Sequence, residues 1–254
     1  MIRLMARLDA RNGNHIKTIQ CEGVRKIRPV IESLNDFSVG VNEFDEIMVL
    51  DTVASLYGFS NWLLRQHEYE FFYSAIPLSI GGAISSVDDV KQTLAKGADK
   101  VVLNTAAINC PRLLEQLAAV VGSQALVLQI DSRKISDKYY CFTNGARELS
   151  KYSLEDWIGI AGKNGVGEIH LTSIETEGSD ADFPSDLARL ARSLTDLPLI
   201  ISGGINSCKI IAEYYHDYEI NAFSISSMIN RLGRATSDIR QELDALGVPV
   251  RLPN

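Results

Sequence analysis

The same series of short motifs occurs twice in this chain of 254 residues, with the two copies in register 122 positions apart. Leu8-Asp9-Ala10-Arg11 is answered by Ile130-Asp131-Ser132-Arg133, Glu46-Ile47 by Glu168-Ile169, and Ile80-Gly81-Gly82 by Ser202-Gly203-Gly204. Asn104-Thr105 finds its counterpart in Ile225-Ser226, one position out of step. A repeat of this length spans several secondary elements, so the fold is expected to consist of two like halves, about 1–122 and 123–254.

The motifs sit at the ends of short apolar runs, which are read as strands near 2–8, 46–51, 77–81, 100–104, 125–131, 167–173, 198–202 and 221–226. Segments of helical period follow them, near 29–37, 59–70, 86–96, 110–121, 153–163, 183–194, 206–216 and 235–246. Ser86 with Asp88 and Asp89, and Ser153 with Glu155 and Asp156, have the form of helix starts, and Gly97 that of a helix end. Eight strand–helix units without a linker predict an α/β fold, a single (βα)8 TIM barrel with internal half-barrel duplication. An open doubly wound sheet is the competing arrangement, and it gives no reason for the halves to repeat in order. Two connections are unusually long, 10–28 and 132–150. In the second, Tyr139-Tyr140-Cys141-Phe142 before Asn144-Gly145 predicts a small hairpin. Connections of that length in a compact fold are expected to be lids or binding elements.

Composition narrows the function. The net charge of −7 comes without a basic run, which argues against nucleic-acid binding. Cys21, Cys110, Cys141 and Cys208 are scattered, with no C-x-x-C pair and no zinc-ligand spacing. No metal or cofactor is therefore expected, and the thiols read as free groups in a reducing cytoplasm. No apolar run approaches the ~20 residues of a membrane span.

Asp9 and Asp131 end the first and fifth strands, which face each other across a barrel mouth. Aspartate is a poor strand residue, and two carboxyl groups facing one substrate can donate and accept protons at two of its atoms. The structural alternative is that each caps a loop or pairs with Arg11 or Arg133. Gly81-Gly82 and Gly203-Gly204 follow the third and seventh strands, where backbone N–H groups can approach an anion. Asn104-Thr105 and Ser226-Ser227 would supply the adjacent short helix starts, giving two phosphate sites for a substrate phosphorylated at both ends. Lys17 in the first long connection is a candidate lid cation. Arg3, Glu46, Lys100 and Glu168 lie at the opposite strand ends and are expected to meet as a charged ring on the barrel floor, as a structural layer or as a gate.

These residues, together with Asn12-Gly13, Val49-Leu50-Asp51, Gly97-Ala98-Asp99-Lys100-Val101, Phe142-Thr143, Leu171-Thr172-Ser173 and Gly247-Val248-Pro249-Val250-Arg251, resemble the cyclase subunit of imidazole glycerol phosphate synthase, an enzyme of histidine biosynthesis. The similarity runs from Ile2 to Leu252. It implies that a class I glutaminase subunit docks on the N-terminal face of the barrel and releases ammonia. It also implies that Arg3, Glu46, Lys100 and Glu168 gate the ammonia's entry, and that Asp9 and Asp131 act as general acid and base. Ammonia would add to a phosphoribulosyl aminoimidazole-carboxamide substrate, giving imidazole glycerol phosphate and an aminoimidazole ribotide. Thr172, Gly178 and Ser202 join the substrate-binding set by the same resemblance.

The chain departs from the family at several points. Ala83 and Ser85 replace a glycine and a basic residue, Thr18 replaces a glycine, and the Gly-Asp-Pro expected near Arg28-Pro29 is incomplete. In Glu177-Gly178-Ser179-Asp180-Ala181-Asp182, Asp180 and Asp182 are expected to bring negative charge to the second phosphate site. Such changes are similar to those of paralogues from surface-polysaccharide gene sets, which pass ammonia to a nucleotide-sugar amidotransferase; many of those lack the first aspartate, which this chain keeps. A related isomerase of the same pathway and a non-catalytic glutaminase scaffold complete the alternatives.

Overall fold

The computed structural model describes residues 1–39, 43–65 and 76–252. Eight parallel strands close on themselves: β1 (Arg3–Arg11), β4 (Glu46–Asp51), β5 (Leu78–Gly81), β6 (Lys100–Leu103), β7 (Leu126–Ile135), β10 (Glu168–Ser173), β11 (Leu199–Ser202) and β12 (Ala222–Ser224). The ring closes where Arg3, Leu4 and Met5 pair with Ala222, Phe223 and Ser224. It is a (βα)8 barrel, and no edge is left exposed in it. The strands that carry the sequence repeat, β1 with β7, β4 with β10, β5 with β11 and β6 with β12, stand four places apart in this ring.

Alternation along each strand sorts the core into two layers. Leu4, Ala6 and Leu8 of β1 face outward into the large cluster shared with the helices. Arg3, Met5, Arg7 and Asp9 face the bore. Midway along the bore, Met5, Met48, Leu50, Val102, Val127, Ile200 and Ala222 form a separate apolar layer. Polar side chains occupy the bore on either side of it. The outer ring comprises α1 (Val30–Phe37), α2 (Trp62–Arg65), α3 (Val87–Ala95), α5 (Arg112–Val121), α6 (Leu154–Lys163), α7 (Ser185–Leu194), α8 (Cys208–Tyr218) and α10 (Thr236–Ala245). The helix expected over 59–70 is described only for its first part, since 66–70 lie outside the described residues. Ser86 and Asp89 form a reciprocal capping box on α3, and Ser153 accepts from the Asp156 N–H on α6. Two further short helices, α4 (Thr105–Asn109) and α9 (Ser226–Asn230), stand at the mouth where the repeat predicts them. No described helix is long and apolar enough to cross a membrane.

The long connections are largely sheet. β1 continues antiparallel into β2 (Asn14–Ile19) and β3 (Glu22–Pro29), so 10–28 is a projecting hairpin rather than an irregular loop. It escapes a periodicity search because six of the eight β3 residues are exposed, which leaves no buried face to alternate. β7 likewise runs on into β8 (Lys138–Thr143) and β9 (Glu148–Ser153), with the expected turn at Asn144 and Gly145.

Candidate active site

Asp9 and Asp131, from opposite strands, line one cavity of about 350 Å³ at the mouth. Both side chains are buried, and each takes a hydrogen bond from the residue two positions earlier on its own strand. Arg7 Nε donates to Asp9 Oδ1 at 2.8 Å, and Gln129 Nε2 donates to Asp131 Oδ1 at 2.8 Å. Period-two geometry accounts for this, since residues i and i+2 share a face. Asn104 Nδ2 donates to the other Asp131 oxygen at 2.9 Å. Burial pushes the Asp131 carboxyl above its ordinary value, against the opposing pull of Arg7 and Gln129. Neither aspartate pairs with the arginine two positions on: Arg133 instead lies over the Phe142 ring at 5.6 Å.

The first-half cavity is walled by Gly82, Ala83, Ser85, Asn104 and Thr105, and by Arg147 from the β8–β9 turn. Gly82 has φ +97°, and a Cβ there would meet the Asp51 carbonyl oxygen at 2.2 Å, so this position requires glycine. Gly81 does not reach the cavity. Its carbonyl accepts from Asn61 Nδ2 at 2.7 Å, and a Cβ on it would strike Leu50 and Val102. Its role is packing inside the barrel. Asp51 is also buried at the mouth, but it accepts the N–H groups of Ala54 and Trp62 and so orders its own loop.

The second half gathers Lys17, Gly178, Ser202, Gly203, Gly204, Ser226 and Ser227 around a cavity of only about 30 Å³, room for roughly one water. His15 and Ile16 of the hairpin line it beside Lys17. Glu177, buried beside it, accepts from Lys17 Nζ at 3.3 Å, Thr18 Oγ1 at 3.1 Å and the Cys21 N–H at 2.8 Å. The negative charge at this site therefore comes from Glu177. Asp180 and Asp182, where that charge was expected, are exposed and line neither cavity; Asp180 pairs with Arg231. The Ser226 hydroxyl is engaged with the backbone of Arg7, donating to its carbonyl and accepting its N–H, each at 2.8 Å. Thr172 is turned to Arg7 as well, accepting from Nη1 at 2.9 Å.

At the other end of the bore the four charged residues meet. Arg3 binds Glu46 at 2.9 Å and also Glu168; Lys100 binds Glu46 at 3.1 Å and Glu168 at 2.8 Å. Ser79 adds a hydrogen bond to Glu46 at 2.8 Å. Although burial opposes it, Arg3 and Lys100 hold the Glu168 carboxyl below its ordinary range. Alternating signs make the ring self-neutralising, which is how charge persists in a buried layer.

Sequence reasoning missed Arg7, Gln129, Glu177 and Arg147. For the first two a signal existed: each precedes an aspartate by two positions, and 7 and 129 are themselves a repeat pair. Glu177 and Arg147 come from connecting segments, where no period marks which side chains turn inward.

The family described as histidine biosynthesis protein matches residues 3–229. An imidazole glycerol phosphate synthase subunit HisF of Legionella pneumophila is 38% identical over 209 residues, which cover 80% of this chain and 95% of that protein. Subunits of the same name from Thermococcus onnurineus (strain NA1) and Chlorobium phaeovibrioides (strain DSM 265 / 1930) are 33% and 32% identical, each over 253 residues and 98% of both chains.

Proposed function

The chain belongs to the histidine biosynthesis protein family, and from that premise we propose that it is the cyclase subunit of an imidazole glycerol phosphate synthase, fed with ammonia through its own barrel. One observation carries the reading: Asp9 and Asp131 open on one cavity while a closed charged ring occupies the other end of the same bore.

In this reading a class I glutaminase subunit docks on the N-terminal face, where Arg3 and Lys100 remain partly accessible. Ammonia passes the ring when its ion pairs part, then crosses the apolar layer, which favours the neutral molecule over ammonium. At the mouth it attacks the ketone of the phosphoribulosyl aminoimidazole-carboxamide substrate. Asp131, whose burial keeps its proton to higher pH, donates to the departing oxygen. Asp9 takes a proton from the added nitrogen. Ring closure and C–N cleavage then yield imidazole glycerol phosphate and an aminoimidazole ribotide, with water as the other product. Gly82 and Thr105 on one side and Gly203, Gly204, Ser227 and the backbone N–H of Ser226 on the other are the phosphate contacts, with Lys17 as the lid cation.

The test uses the purified chain, an ammonium salt at high pH and the substrate, without any glutaminase. Turnover is expected, and Asp131→Asn should lower kcat by roughly 10²–10⁴ without changing the fold. Absent turnover from a folded protein rejects the cyclase, and full activity in the variant rejects the acid–base assignment. A second reading, ammonia delivery to a nucleotide-sugar amidating enzyme, is favoured by the small second-half cavity with Glu177 in it.

A further inference from the structure

The two halves solve the same local problem with different chemistry. At repeat-equivalent positions, Arg7 and Gln129 each reach forward two residues and donate to one aspartate oxygen at 2.8 Å. One donor is a guanidinium and the other a neutral amide. Arg7 is buried, and its Nη1 also grips Thr172 Oγ1 at 2.9 Å, so the side chain spans the bore from β1 to β10.

We propose that Arg7 is the positioning residue that makes two symmetry-related aspartates do different work, fixing Asp9 as the proton acceptor and leaving Asp131, on its neutral Gln129, as the proton carrier. This rests on the acid–base reading above and deepens it. Two like carboxylates sharing a pocket repel, and nothing in their strand positions decides which of them holds a proton. A cation hydrogen-bonded to Asp9, where Asp131 has only a neutral amide, breaks that equivalence. The charged and titratable groups around the pair are few. The hairpin contributes His15, Lys17 and Cys21; the segment after β10 contributes Glu177, which already accepts from Lys17; β4 contributes Asp51; β8 contributes Cys141, whose thiol burial pushes up; the β8–β9 turn contributes Arg147, exposed at the cavity rim; β10 contributes His170. His15 is held down to about 4 by burial, and His170 is held well down by burial and then by Arg7, so both stay neutral near pH 7. Burial pushes the Cys21 thiol up. Arg7 is the buried cation that bonds directly to one of the pair, whereas Arg147 is exposed at the rim.

Arg7→Gln tests this directly, because it copies into the first half what the second half already uses and keeps a donor for Asp9. Arg7 opposes the upward push on Asp131, so its removal lets that carboxyl rise further. In ammonia-dependent turnover the basic limb of the kcat profile should move up by about one pH unit. The value of kcat at neutral pH should fall roughly tenfold to a hundredfold while KM stays within about threefold. Arg7→Lys, which keeps the charge but loses the fork, should restore the limb and only part of kcat. Thr172→Val, which removes an anchor and no charge, should lower kcat with the limb unmoved. The Asp131 carboxyl titration, followed by carbon NMR in wild type and Arg7→Gln, needs no turnover and should show the same rise. An unshifted Asp131 titration with wild-type kcat overturns the proposal, and so does a KM increase alone, which would make Arg7 a substrate ligand. If the wild-type protein does not turn over, the cyclase reading fails, while the titration still decides what Arg7 does.

Discussion

Replacing Glu177 by alanine should release the β2–β3 hairpin from the barrel without unfolding the barrel. Its carboxylate is the acceptor for three groups of that hairpin, Lys17 Nζ, Thr18 Oγ1 and the Cys21 N–H. Hydrogen bonds to a charged group are worth about 1.5–3 kcal/mol each. Lys17 is a quarter exposed and its contact is the longest at 3.3 Å, so it is discounted heavily. The Thr18 and Cys21 contacts then dominate, for a local loss of about 3 kcal/mol. What remains near the tip is the Gln20 N–H on the Glu177 carbonyl at 2.8 Å and the Gln20 side chain on the Glu175 carbonyl at 3.2 Å; nearer the base, the ladder to β1 and the contacts of His15 and Arg28 with Ser33 and Asp36 persist. Amide hydrogen exchange is the assay: a 3 kcal/mol drop in local opening free energy corresponds to roughly a hundredfold loss of protection. The loss should be confined to 14–29, with β4, β7 and β10 unchanged. Freed of its carboxylate partner, Lys17 should also bind anions better, lowering KM for a substrate phosphorylated at that end. Unchanged protection over 14–29, or a loss spread evenly through the barrel, would refute the reasoning.

Three further substitutions probe the rest of the molecule. Glu168→Gln should cost about 1–2 kcal/mol near neutral pH, a buried-pair value discounted for the partial exposure of Arg3 and Lys100. Because the folded carboxyl titrates below its ordinary range, the contribution is complete above that range and vanishes as pH falls through the folded value. Urea unfolding should therefore separate variant from wild type near pH 7 and not near pH 3. Gly82→Ala should lose about 2–4 kcal/mol in thermal or urea unfolding, since φ is +97° and the new Cβ meets the Asp51 carbonyl; wild-type stability would show that the turn yields. Arg147→Ala removes a guanidinium from the cavity rim and should raise KM roughly fivefold with kcat within about twofold, whereas an unchanged KM would place Arg147 outside substrate binding.

Much of this architecture is legible in the residues alone. The 122-residue repeat points to a barrel because strand ends recur with the same chemistry, and the motifs at Asp9 and Asp131 fall on opposite strands for that reason. The charged floor is legible for a related reason: a basic or acidic residue beginning an apolar strand has to find a partner inside. The hairpin was not legible, because its outer strand β3 is mostly exposed and needs no alternation. Gly81 and Gly82 look alike in sequence and differ in role, because Gly81 ends β5 packed against Leu50 and Val102 while Gly82 begins the turn that follows, at φ +97°. Thr172 and Ser226 looked available to a ligand, and only the position of Arg7 three-dimensionally beside them reveals that their hydroxyls are spoken for.

The hairpin grows from the first half of the chain yet lies against the second. Without it, a ligand bearing the same group at both ends would meet two repeats told apart only by side-chain differences such as Arg7 against Gln129. With the ribbon lining both cavities, about 350 Å³ is open in one half and about 30 Å³ in the other, so the two directions of approach differ in room as well. A duplicated scaffold thereby acquires a sense of head and tail.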